Sequence, residues 1–138
     1  MVISDGMMCP CGCGMLLVRE ELIVALSELQ DLVPSEIVYH STFRCTPHNV
    51  HVGGHHASYH LHGLAADLHI TGVDLAGMYQ IVSEVAAFRD GGIGCYADWT
   101  VPGVHVDVRD WHARWGHYDG EYAMGLVGLT TAIARTER

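Results

Sequence analysis

The stretch Ser58-Tyr59-His60-Leu61-His62-Gly63-Leu64-Ala65-Ala66-Asp67-Leu68-His69-Ile70 places three histidines and an aspartate in a segment that otherwise reads as the entry to a buried strand. Such groups resist burial unless something pairs them. Further along, Val104-His105-Val106-Asp107-Val108-Arg109 alternates strictly, so in a strand the valines face one side while His105, Asp107 and Arg109 face the other. The same period sets Ala65, Asp67 and His69 against Ala66, Leu68 and Ile70, with His60 seven residues ahead of Asp67. If the strand of Asp67 pairs with that of His105, two imidazoles and a carboxylate converge. Three such ligands with one position left to water form the set that catalytic zinc uses. A half-exposed edge strand would carry the His-Asp-Arg alternation equally well, so strand pairing decides between the two readings.

The elements that must position these groups are readable around them. Apolar residues at Leu22, Ala25, Leu26 and Leu29 recur at helical spacing between Leu16 and Val33, with Glu20, Glu21, Glu28 and Asp31 off the stripe and Pro34 closing the run. Glu36 to Cys45 is rich in β-branched and aromatic residues and predicts a strand ending near Ser41. Thr46 to Ser58 has Pro, Asn and a Gly pair without periodicity, and predicts a loop carrying four histidines. Leu64 to Ile70 predicts a strand, and Val73 to Phe88 a helix capped by Asp74. "GGIGCYADW" and "GVHVDVRDW" predict an antiparallel pair joined around Thr100 to Gly103, and a last helix is expected from about Tyr122 to Ala134. Helices and antiparallel strands in separate blocks indicate an α+β fold, a small antiparallel sheet with flanking helices, in one domain over residues 1–138.

The pattern Ser58-x-His60-x-x-Gly63-x-Ala65-x-Asp67, followed by His105 in a strand, resembles the signature of the zinc D-Ala-D-Ala carboxypeptidase family, which includes vancomycin-resistance dipeptidases and phage endolysin peptidases. "STFRCTPHNVHVGG" is similar to that family's arginine-bearing loop, and "GGIGCY…VHVDVR…RW" resembles the end of its small phage and prophage branch. The resemblance implies a Hedgehog/DD-peptidase-like fold, one catalytic zinc held by His60, Asp67 and His105, and Arg44 on a substrate carboxylate or carbonyl, with Ser58 near the substrate. It places His48 and Arg109 in support behind the ligands. Many relatives carry a general-base glutamate three residues before the last histidine ligand, where this chain has Pro102. Asp107 is the nearest carboxylate, roughly 7 Å along the strand from His105, and can be read as that base or as a group orienting a ligand. His51, His55, His56, His62, His69, His112 and His117 read as surface or packing residues. Trp111 and Trp115 with Arg114 read as packing near the cleft mouth. The implied function is hydrolysis of peptidoglycan stem peptides, either as a carboxypeptidase or as an endolysin-type endopeptidase. An inactive zinc-bound module, as in the Hedgehog signalling domain, is the alternative.

Composition narrows the partners. The net charge is −9 and all seven basic residues are arginine, so the clustered cations that bind nucleic acid are missing. The start lacks a basic segment followed by an apolar one, and no apolar run nears eighteen residues. Cytosolic synthesis without a signal peptide is expected, with no membrane association, monomeric action, and access to the wall by phage-type release or within a virion. Five cysteines do not make a fully paired framework. Cys9, Cys11, Cys13 and Cys45 could gather around a second, structural zinc, although free thiols or one disulfide account for them as well.

Overall fold

Period-two burial dominates the centre of the chain and builds one sheet. The computed structural model describes residues 18–42 and 59–137. Its strands are β1 (Ile37–Ser41), β2 (Ala65–Ile70), β3 (Gly92–Tyr96), β4 (Gly103–Asp107), β5 (Ala113–Tyr118) and β6 (Glu121–Met124), in the order β1-β2-β4-β3-β5-β6. Its α-helices are α1 (Glu20–Leu32), α2 (Leu75–Val82), α3 (Ala86–Arg89) and α4 (Gly125–Thr136). Ala66, Leu68 and Ile70 of β2, Ile93 and Cys95 of β3, and Val104 and Val106 of β4 are buried in one cluster with Leu22, Leu26 and Leu29 of α1, Val82 of α2, Phe88 of α3 and Leu129 of α4. Each large side chain so removed from water stabilises the fold by about 1.5–3 kcal/mol. The alternate residues of the same strands are left to the opposite face.

The α+β expectation holds, with differences in detail. The sheet is mixed, because β3 and β5 run parallel from Gly92↔Ala113 to Tyr96↔His117. Neither β5 nor β6 was expected from sequence. Ala113-Arg-Trp-Gly-His-Tyr does not alternate in polarity, since its glycine and buried Arg114 break the pattern. The two strands are joined by Asp119-Gly120, both with positive φ (55° and 77°), the left-handed pair that a two-residue hairpin turn requires. That dipeptide was the available signal, and it moves the start of the last helix from Tyr122 to Gly125.

The helix expected over Val73 to Phe88 is interrupted between α2 and α3. Its predicted cap is present, with Gly77 N donating to Asp74 Oδ1 at 2.9 Å. Arg114 lies at the C-terminal end of α3 rather than at the cleft mouth, its guanidinium donating to the carbonyls of Arg89, Gly91 and Ala113. Buried carbonyls left over at the end of a short helix are thereby satisfied.

Candidate metal centre

β2 and β4 are adjacent and antiparallel, and their register sets Asp67 directly opposite His105. The sequence pairing on which the site depends is therefore realised. His60 arrives from a 3₁₀ turn, Tyr59–His62, just before β2. That turn closes on Gly63, whose φ of 68° favours glycine, and it is tied to the start of α1 by Arg19 N donating to Gly63 O at 2.9 Å. One nitrogen or oxygen from each of His60, Asp67 and His105 falls within 4.8 Å of the others.

The hydrogen bonds fix which nitrogens face inward. Thr42 O lies 2.7 Å from His60 Nδ1; a carbonyl only accepts, so Nδ1 carries the hydrogen and a neutral ring turns the lone pair of Nε2 toward Asp67 Oδ1, 3.2 Å away. On His105 it is Nε2 that meets a carboxylate, Asp107 Oδ2 at 2.8 Å. A neutral ring therefore presents the lone pair of Nδ1 to Asp67 Oδ1 at 2.9 Å. Two lone pairs and a carboxylate oxygen thus point at one another in a site where His60 is 1% exposed and His105 8%. Three acceptors cannot satisfy one another, and a cation at their centre reconciles them.

In the protein alone a proton supplies part of that charge. Burial pushes His105 down, but the bonds to Asp107 and Asp67 override it and raise its pKa to about 9. Burial likewise pushes the Asp67 carboxyl up, yet His60 and His105 hold it far below the usual carboxylate range. A divalent ion would replace the proton and take the same three atoms, a donor set that suits zinc.

Asp107 stands behind His105 with every side-chain contact taken. Oδ2 accepts from His105 Nε2 and from Arg109 Nη2 at 2.7 Å, and Oδ1 from Arg109 Nε at 2.8 Å and from Gly92 N at 3.0 Å. A Cβ on Gly92 would collide with this carboxylate, so the approach of β3 depends on glycine there. The Arg109 guanidinium lies 4.5 Å from the Tyr59 ring centre, 5.2 Å from that of Trp115 and 5.3 Å from that of Trp111. Burial raises the Asp107 carboxyl, but His105 and Arg109 hold it well below the usual range.

Trp115 occupies the space over Gly94, the residue of β3 opposite His105, and its ring centre is 5.1 Å from that of His105. Its Nε1 donates to Tyr96 Oη at 3.0 Å. Sequence reasoning put Trp115 near the cleft but gave Tyr59, Tyr96 and Gly94 no part; an Ile-Gly-Cys-Tyr run inside a strand was the hint that something approaches the backbone closely. Arg44, His48 and Ser58 lie outside the described residues, as do Cys9, Cys11, Cys13 and Cys45 with the structural zinc expected on them. The remaining cysteine, Cys95, is buried on the helical face, where burial pushes its thiol up to about 12. No described helix is long and apolar enough to cross a membrane.

A His-Asp-His cluster of this kind can hold a divalent metal, and the comparison with known families says what class of protein carries it. A family model for Peptidase M15 matches residues 3–107, which span all three candidate ligands and Asp107. The chain belongs to the Peptidase M15 family, of the zinc D-Ala-D-Ala carboxypeptidase type. Among curated proteins no match is found.

Proposed function

We propose that the chain is a zinc-dependent peptidase of peptidoglycan stem peptides, either trimming a terminal D-alanine or cutting within the stem as phage lysins do. The observation that carries the reading is the convergence of His60 Nε2, Asp67 Oδ1 and His105 Nδ1 within 4.8 Å of one another, a donor set that a divalent cation can take. Zinc held there would supply a Lewis acid for a scissile carbonyl and a water made nucleophilic near neutral pH.

The residues of the chain do the rest. Thr42 O and Asp107 fix the rotation of the two histidines, which turns His60 Nε2 and His105 Nδ1 toward the place where the metal would sit. Asp107, with its lone pairs occupied, orients His105 in this reading, and Arg109 in turn fixes Asp107 by a bidentate pair. Arg44 would clamp a substrate carboxylate, with Ser58 and His48 beside it. Action at the bacterial wall would follow lysis, passage through a holin-like route or packaging in a virion, with the single domain working as a monomer.

A second reading, a zinc-bound module without turnover, is favoured by one feature: Pro102 stands where relatives have a glutamate, and Asp107 is committed to His105 and Arg109. Mass spectrometry of purified muropeptides incubated with the zinc-loaded protein, beside a His60→Ala control, separates the two. Loss of one alanine marks a carboxypeptidase and release of stem fragments an endopeptidase. Intact muropeptides in the presence of a fully zinc-loaded protein would replace the peptidase reading with the module.

A further inference from the structure

The pairing of β1 with β2 is irregular at one point, and that point faces the metal centre. Ile37, Val38 and Tyr39 stand opposite Ile70, His69 and Leu68 in turn, after which the register shifts and Ser41 stands opposite Asp67. Side chains of directly opposed residues share a face of the sheet, so Ser41 is on the face that carries the ligands. Had the register run on unshifted, His40 would oppose Asp67 and Ser41 would turn with Ala66 toward the helices. The extra residue of a β-bulge re-aims the side chain that follows it. His40 is drawn aside to His69, with 2.7 Å between Nε2 and Nδ1, and the next carbonyl after Ser41, Thr42 O, is the one that meets His60 Nδ1.

The hydroxyl so delivered has nothing to bind. Ser41 Oγ is buried without a hydrogen-bond partner among the described residues, a state that costs free energy an alanine would not incur. Asp67, across the ladder, is equally incomplete. Its Oδ1 meets His60 Nε2 at 3.2 Å and His105 Nδ1 at 2.9 Å, while no described residue donates to Oδ2. Directly opposed residues of an antiparallel pair have Cβ atoms about 4.5–5.5 Å apart, so a serine hydroxyl and a carboxylate there are one side-chain rotation from a hydrogen bond. A donor without an acceptor thus stands beside an acceptor without a donor.

We propose that Ser41 is a positioning residue of the metal centre: with a divalent cation drawing Asp67 Oδ1, the Ser41 hydroxyl donates to Oδ2 and holds the carboxylate in place as a ligand. In the metal-free chain the two histidines hold Asp67 and the hydroxyl is idle, so its contribution belongs to the metal-bound state alone. The inference rests on the metal centre of the reading above but not on turnover, and it stands equally for a zinc-bound module.

The test measures zinc affinity by competition with a chromophoric chelator, beside thermal melts of the metal-free protein, in the wild-type chain, Ser41→Ala and Ser41→Thr. Ser41→Ala is expected to weaken zinc binding about tenfold while the metal-free melting temperature stays level or rises, since removing an unpartnered buried hydroxyl takes no bond away. Ser41→Thr keeps the hydroxyl, suits a strand and should restore most of the affinity. A hydroxyl of merely structural use gives the opposite pattern, a lower metal-free melting temperature with zinc affinity intact, and that result would overturn the proposal. So would a weakened affinity that threonine does not restore, which marks lost shape rather than a lost bond. A wild-type chain that binds no zinc overturns the metal centre and the part of Ser41 with it; equal zinc affinity in the wild type and Ser41→Ala removes Ser41 alone.

Discussion

Asp67 and Leu68 are neighbours in sequence and belong to different chemistries. Leu68 is fully buried against the helices, and Asp67 meets two histidines across the sheet. The helical face gains stability from apolar area and is complete as the chain folds. The opposite face holds Asp67, His60 and His105 in an arrangement that leaves three acceptors facing one another, so its favourable state depends on something added. The pleat thus separates the face that provides most of the stability from the face that provides reactivity.

The largest effect comes from setting those two residues against each other. Asp67→Ala is expected to abolish stoichiometric zinc and muropeptide turnover while the metal-free protein still folds, destabilised by the loss of the carboxylate that His60 and His105 share. Leu68→Ala should cost about 2–5 kcal/mol in denaturant unfolding while the molecules that remain folded still bind zinc one to one. Zinc analysis beside urea titration reads both, and a loss of zinc in the folded Leu68→Ala protein would break the separation. A smaller effect sharpens it: Asp107→Asn keeps the shape but removes the charge that His105 and Arg109 share, and zinc affinity should fall about 10–100-fold in a competition titration. Unchanged affinity would return Asp107 to the role of a proton acceptor.

The smallest effect is in pH. In the metal-free protein the pKa of His105 is raised from 6.5 to about 9, so its protonated form stabilises the fold fully below about 6.5, and that contribution is lost as pH rises through about 9. Thermal melts in chelator should show a declining midpoint across that window. Zinc affinity should rise over the same range, because the metal displaces the proton. A flat melting profile would remove His105 from the account.

How much of this was legible follows from the period of the elements. Asp67 and His105 could be set face to face because both lie in alternating strands flanked by valine, alanine and leucine, and the structure pairs them. Asp107 could not be resolved, because both roles need a carboxylate on that face, and only the rotation of the His105 ring tells which nitrogen it meets. His60 was placed by motif, yet its carbonyl partner, Thr42, comes from the far end of β1, where no pattern points. β5 and β6 were missed because alternation fails in β5, where Arg114 is buried and Gly116 packs against Gly128.

The two histidines and the aspartate are also distributed unevenly in time. His60 and Asp67 are joined by a local turn, but His105 lies 38 residues beyond Asp67 and enters only when β4 has docked on β2. Local contacts form early and distant pairings late, so a partly synthesised or partly refolded chain offers two ligands and holds metal weakly. Bound zinc is then a clock for the sheet: the moment at which the ion is retained against a chelator marks the moment at which β2 and β4 have closed.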